Sequence, residues 1–247
     1  MEKIKRIVTD RISKEFRIGF KKRRTALARI ISLFSGREPK KILKVLKEVS
    51  FSVWAGEIVG VIGKNGSGKS TLLRILANIY PYYEGRKIIN GKIIPLIGLG
   101  RGLKRRLTMT ENIFLVGSLF GLSQKQIKKR FSSIIEFAEL ENFVNTKLYQ
   151  FSAGMRQRLA FSIAIHCEPD ILLLDEVFAV GDQEFRLKSA NKIKELVKKG
   201  AAAIFVSHEL WMIERYCDRV IWLDEGKILK EGNTKKILKE YIKCSKD

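Results

Sequence analysis

EIVGVIGKNGSGKSTLLRIL, residues 57–76, decides the fold. An apolar run ending at Ile62, a glycine-rich stretch, and apolar residues at Leu72, Leu73, Ile75 and Leu76 predict a buried strand, a turn and a helix in that order. The turn GKNGSGKS, 63–70, fits G-x-x-x-x-G-K-[ST] in full and stands between the flanks such a loop requires. Glycines let successive backbone N–H groups point into one concavity, and the helix after the turn adds its positive end. Gly63, Lys64, Asn65, Gly66, Ser67, Gly68, Lys69, Ser70 and Thr71 are therefore candidate phosphate ligands. Lys69 would reach the β- and γ-phosphates, Thr71 the α-phosphate, and Ser70 would ligate Mg²⁺.

The rest of the chain agrees with a nucleotide-binding α/β domain. ILLLD (171–175) and AAIFVS (202–207) read as buried strands, with helices from Ser152, around 184–199 and at 234–242. Near-continuous apolar strands alternating with helices imply a parallel sheet covered on both faces. Strands are expected at 4–9 and 49–53, a helical stretch over 110–140, and a turn at Asp224-Glu225-Gly226 joining two strands. Residues 86–97 are rich in Ile around Asn90-Gly91, the signature of a hairpin. Leu27, Ile30, Ile31 and Phe34 recur at helical spacing among arginines, predicting a basic amphipathic helix over about 22–35.

Composition sets bounds on function. The chain has 247 residues, 45% hydrophobic and 30% charged, with 4 prolines and no Gly/Ser linker, which suits one folded unit. Apolar runs such as 58–63 and 171–174 fall far short of the ~18 residues of a membrane span, and the N-terminus lacks a signal-peptide apolar region. Three widely spaced cysteines, Cys167, Cys217 and Cys244, form no zinc pattern and suit a reducing cytoplasm. The net charge of +22 is unusual, and residues 1–48 hold 16 Lys/Arg against 5 Asp/Glu. Such a field attracts nucleic acid, anionic headgroups or an acidic partner, or reflects a solvated lysine-rich surface.

Two acids close the strand ILLLD-E. Asp175 is placed to hold Mg²⁺ through water, and Glu176, one residue on, to polarise an attacking water as general base. Adjacent carboxylates after a buried strand are costly without a cation. His208 ends a strand expected beside the one bearing Asp175, near the same crevice, and is a candidate γ-phosphate contact. His166, late in a helix, reads as structural. FSAGM (151–155) opens a helix with Ser152 as its natural N-cap, a second anion-binding helix start in a chain that already has a phosphate loop.

Phosphate loop, FSAGM, ILLLDE and His208, in this order and spacing, resemble the ATPase subunits of ABC transporters. The resemblance implies a P-loop NTPase with a RecA-like core, an antiparallel β subdomain and an inserted helical signature subdomain, here about 104–165, all within one domain spanning 1–247. It also implies a head-to-tail homodimer sandwiching two ATP. Ser152, Ala153, Gly154 and Met155 would form the signature acting in trans, and Asp182, in Ala179-Val180-Gly181-Asp182, would belong to the loop crossing the dimer interface. FSAGM with LLLDEVFAVGDQEF and LTMTENIFLVGSLFGLS resembles exporters of O-antigen, teichoic acid or capsular polysaccharide. SKEF resembles their adenine-stacking region, making Phe16 the candidate ring and Phe20 the second.

That resemblance implies ATP hydrolysis driving export of a lipid-linked polysaccharide, a separate transmembrane permease, and a position peripheral to the cytoplasmic membrane face. No nucleic-acid partner is expected, since sustained heptads or a DNA-reading domain are missing, and salt-sensitive DNA-stimulated ATPase activity would say otherwise. A drug, peptide or other small-substrate exporter is the alternative within the family. The chain departs from the pattern in one place: residues 86–110 hold no Gln, and Gly98 stands in Ile97-Gly98-Leu99-Gly100-Arg101-Gly102 where the family's coupling glutamine is expected. No C-terminal carbohydrate-binding domain is expected, because the sequence stops soon after Tyr241.

Overall fold

The computed structural model describes residues 4–18, 41–81, 83–98, 100, 102–175 and 182–244. The expected basic helix over 22–35 and Phe20 lie outside these residues.

Two sheets share the first third of the chain. An antiparallel sheet runs in the order β2 (Lys41–Trp54), β1 (Lys5–Ile18), β4 (Glu84–Ile89). The larger sheet has the order β5 (Ile93–Leu96), β6 (Ile171–Asp175), β7 (Ala202–Val206), β3 (Ile58–Ile62), β8 (Arg219–Asp224), β9 (Lys227–Asn233). Its first five strands are parallel and β9 returns antiparallel through the expected turn, with Glu225 and Gly226 both at positive φ. This RecA-like core, antiparallel subdomain and helical subdomain match the resemblance-based expectation.

Period-two alternation sends the central strands into two cores. Val59 and Val61 of β3, Leu173 of β6 and Ile204 of β7 face α1 (Lys69–Leu76) and the antiparallel sheet. Ile58 and Ile62, Leu172 and Leu174, and Phe205 face the helices on the other side. That side holds α2 (Met109–Leu119), α3 (Gln124–Ala138), α4 (Ala153–Ile165), α5 (Gln183–Lys198), α6 (Leu210–Tyr216) and α7 (Thr234–Cys244). Phe161 of α4 is fully buried, with ring centroids 6.0 Å from Phe137 and 6.1 Å from Phe185.

Two local expectations are corrected. Asn90-Gly91 makes no hairpin: β4 pairs with β1, and β5 pairs in parallel with β6. Asn90 donates from Nδ2 to the Lys5 carbonyl at 2.8 Å, and the Lys92 amide donates to Asp170 at 2.7 Å. The dipeptide therefore carries the chain from one sheet to the other. Gly91, at φ 122, leaves no room for a Cβ, which would stand 2.5 Å from that of Asp170. The turn propensity is spent on a crossing because both flanking strands find better partners elsewhere, a tertiary override of a local signal. The helical stretch over 110–140 is two helices. Each starts with a reciprocal capping box, Thr108 with Glu111 and Ser123 with Gln126, and Gly121 at φ 80 separates them.

Candidate active site

The phosphate loop leaves β3 at the carboxyl edge of the parallel sheet and enters α1. Gly63 sits at φ 151, and a Cβ there would lie 2.0 Å from the Leu223 carbonyl oxygen. Gly68, at φ 107, would place a Cβ 2.9 Å from the Val45 carbonyl oxygen. Both glycines are required by the chain's own packing, since β2 and β8 press on the loop from two sides. The Gly226 amide donates to the Ser67 carbonyl at 3.1 Å, and the Lys47 amide to the Gly226 carbonyl at 2.8 Å. The β8–β9 turn thus pins the loop's floor.

Lys69 is buried, and its ammonium folds back over the loop, donating to the carbonyls of Gly63 at 2.7 Å and Lys64 at 3.0 Å. Lys64, Asn65 and Gly66 are exposed, and Ser70 and Thr71 half-buried. Ser67 Oγ is buried and has no hydrogen-bond partner among the described residues. Two backbone-tight glycines, a curled lysine and an orphaned buried hydroxyl make a cradle fitting a polyphosphate.

Strand order brings the other candidates to this edge. Val61 of β3 and Asp175 of β6 both face Val206 of the intervening β7. Asp175 and the loop are thus level and two strand spacings apart, about 10 Å. His208 lies two residues beyond β7 and is exposed at the same edge. Glu176, Ala179, Val180 and Gly181 lie outside the described residues. Among the described residues, no three His, Cys, Asp or Glu side chains cluster to hold a metal. A divalent cation held by Ser70 and Asp175 would take its other ligands from phosphate oxygens and water, the habit of Mg²⁺.

FSAGM is elsewhere on the surface. Ser152 N-caps α4, its Oγ accepting from the Met155 amide at 3.1 Å; Ser152 and Ala153 are exposed, Gly154 and Met155 half-buried. At Gly154 a Cβ would meet only Ser152 Oγ, at 3.8 Å, so nothing within the described residues excludes a side chain there. Among the described residues, no packing contact accounts for a glycine at 154. Arg156 donates to the Phe151 carbonyl and closes the turn before the helix.

Asp182 N-caps α5, accepting from the Phe185 amide at 2.9 Å. That amide, helped by the Arg158 guanidinium, holds its carboxyl below the ordinary range. Phe16 lies at the outer end of β1, 5.5 Å centroid to centroid and edge-on to Tyr80, with the Lys14 ammonium 5.2 Å from its ring. Tyr80 was invisible to sequence reasoning, for no local pattern joins it to Phe16. His166 is tied into the core: Nδ1 lies 2.7 Å from the Ser162 carbonyl oxygen, the ring packs edge-on to Phe137, and burial lowers its pKa.

At the position expected for the coupling glutamine, Gly98 is at φ 63. Beside it, Pro95, Leu96, Ile97, Val116 and Phe120 line an apolar cavity of about 90 Å³. The loop beyond is stapled by Asn112 of α2, a residue sequence reasoning passed over. It is fully buried; Oδ1 accepts from the Lys104 amide at 2.7 Å, and Nδ2 donates to the Thr108 carbonyl at 2.8 Å and the Lys104 carbonyl at 3.1 Å.

Residues 46–179 match the family model described as ABC transporter. Teichoic acids export ATP-binding protein TagH of Enterococcus faecalis is 41% identical over 241 residues, 98% of this chain and 53% of that protein. O-antigen export system ATP-binding protein RfbB of Klebsiella pneumoniae is 39% identical over 211 residues, 82% of this chain and 86% of that one. An ATP-binding cassette solved as a dimer in a post-hydrolysis state with ADP and Pi superimposes with TM-score 0.75 at 25% identity, covering 92% of this chain and 98% of that one. The chain spans between 53% and 58% of the length of the teichoic acid export proteins it matches. Motif order, fold and these likenesses agree, and the chain belongs to the ATP-binding subunits of the ABC transporter family.

Proposed function

We propose that this chain is the ATP-hydrolysing subunit of an exporter that moves a lipid-linked cell-surface polysaccharide across the cytoplasmic membrane. Two copies, each one domain over 1–247, would close head to tail on two ATP and engage a separate transmembrane permease from the cytoplasmic face. The observation that carries this reading is the pairing of a phosphate cradle with a capped helix start at Ser152, where no close contact among the described residues accounts for Gly154.

In this reading the amides of the 63–68 loop and Lys69 bind the β- and γ-phosphates, Thr71 meets the α-phosphate, and Phe16 stacks on the base. Ser70 and Asp175 hold Mg²⁺, which when bound neutralises developing phosphate charge. Glu176 takes the proton of the attacking water, and His208 donates to the γ-phosphate. Ser152 and Gly154 of one subunit complete the phosphate shell of the other, with Ala153 and Met155 beside them and Asp182 near the crossing. No helix among the described residues is long and apolar enough to cross a membrane.

Glu176→Gln is expected to keep ATP binding and ATP-dependent dimerisation while turnover falls by about 10² or more, the scale of a lost general base. Unchanged turnover would remove Glu176 from that role. For the cargo, deleting the gene should cause lipid-linked glycan to accumulate on the cytoplasmic side; normal surface glycan with no accumulation would favour a different substrate.

A further inference from the structure

Arg158 stands in the second turn of α4 with its side chain 18% exposed, and it touches three residues at the ends of two other helices. One arm of the guanidinium lies 2.6 Å from Glu139 Oε2 and another 2.5 Å from Asp182 Oδ2. Its central carbon sits 4.8 Å from the centroid of Phe185. Glu139 is the left-handed residue, at φ 59, that closes α3. Asp182 caps α5, and Phe185 occupies the first turn of that helix.

Each carboxylate is divided between two tasks. Asp182 accepts from its own helix through Oδ1 and from Arg158 through Oδ2. Glu139 binds Arg158 through Oε2 and Lys188 of α5 through Oε1, at 2.8 Å. Positive and negative groups thus alternate across three helices, anchored by a buried ring. A planar guanidinium spreads its donors so that two arms reach two carboxylates while its face covers an aromatic ring, a fixed geometry that a compact lysine ammonium does not reproduce.

From this geometry we infer that Arg158 is a positioning residue that locks α4, whose capped start carries Ser152–Met155, to the first turn of α5 at Asp182. The inference rests on the ATPase reading above and names a device within that site. The two helix starts would move as one body, so that Ser152–Met155 and Asp182 meet a second copy's nucleotide in fixed relation. None of its three partners belongs to the phosphate loop or to the Phe16–Tyr80 pair. Loss of the lock should therefore act on turnover rather than on nucleotide affinity.

The test uses the full chain with Arg158→Gln, Arg158→Lys, Asp182→Asn and the Arg158→Gln/Asp182→Asn double variant. Asn is as good an N-cap as Asp, so Asp182→Asn keeps the helix start and removes only the charge. Each single variant is expected to lower kcat about tenfold or more, with KM for ATP within about twofold, as misplacement of reacting groups does. The double variant should be no worse than the worse single one, and Arg158→Lys should recover only part of the rate. If losses multiply in the double variant, the two residues act separately and the lock is wrong; the same holds if Arg158→Gln leaves kcat unchanged.

Amide hydrogen exchange without nucleotide tests the lock apart from hydrolysis. Asp182→Asn should speed exchange in the first two turns of α4, although the substitution lies on α5. Unaltered exchange there overturns the inference. A wild-type chain that binds ATP but never hydrolyses it would instead defeat the ATPase reading, with the exchange result still deciding the lock.

Discussion

At the scale of single residues, the phosphate loop separates two kinds of glycine. Gly63 has a backbone oxygen 2.0 Å from where a Cβ would be, while Gly66, at φ 82, has nothing within 4 Å. Gly63→Ala must push β8 away from the loop, and is expected to abolish binding of a fluorescent ATP analogue and to lower the thermal midpoint. Gly66→Ala meets only left-handed backbone strain, about 1–2 kcal/mol, and should keep both fold and measurable binding. Equal behaviour of the two variants would mean that Leu223 does not confine the loop. The whole loop, Asp175 and the N-cap at Ser152 could be read from the sequence because each is a local pattern tied to backbone geometry. Tyr80 against Phe16 and Arg158 against Asp182 could not, since their meaning arises from elements distant in the chain that meet only after folding.

At the scale of elements, buried polar groups fix loops that propensity leaves undefined. Asn112 satisfies backbone groups of residues 104–108 from within α2. Asn112→Ala would strand those groups in a dry site, and a loss of about 1–3 kcal/mol in urea unfolding is expected. A change below a few tenths would show that water replaces the amide freely. The end of α5 supplies a pH prediction. Hydrogen bonds from Lys199 first and Lys192 second hold the Glu195 carboxyl at about 2 instead of 4.5. A depressed carboxylate stabilises the folded helix above its ordinary range and loses that contribution as pH falls from about 4.5 towards 2. Circular dichroism should show α5 fraying in that window, and Glu195→Gln should flatten the response. The strands and helices themselves were largely legible from apolar periodicity. Asn90-Gly91 misled because a turn signal specifies a bend and not the partner of the next strand.

At the scale of the whole molecule, a subunit that offers Gly154 outward predicts a rate law. ATPase activity per subunit should rise with protein concentration and then saturate, as expected when the active species is a dimer. Gly154→Glu, whose Cβ would meet only Ser152 Oγ among the described residues, should abolish turnover at every concentration yet bind nucleotide as the unaltered monomer does. If nucleotide binding fell with turnover, residues 152–155 would belong to the subunit's own site. Sequence reasoning reached the parallel sheet through its fully apolar strands, and the site edge through the polar residues at their carboxyl ends. It placed the strand before His208 beside the one ending at Asp175, as β6 and β7 are, but not the rest of the strand order, which depends on pairings between segments far apart in the chain.

That strand order also has a temporal meaning. β3 carries the phosphate loop, yet its neighbours are β7 and β8: Ile58 lies opposite Ala203, and Ile62 opposite Trp222. A nascent chain that has emerged only as far as β6 holds all three strands of the antiparallel sheet but neither neighbour of β3. Because non-local pairing must wait for the segments that supply it, the antiparallel sheet can assemble early during synthesis while the nucleotide cradle closes among the last events. Until the chain near Gly226 leaves the ribosome, the most recognisable stretch of this sequence has no floor to rest on.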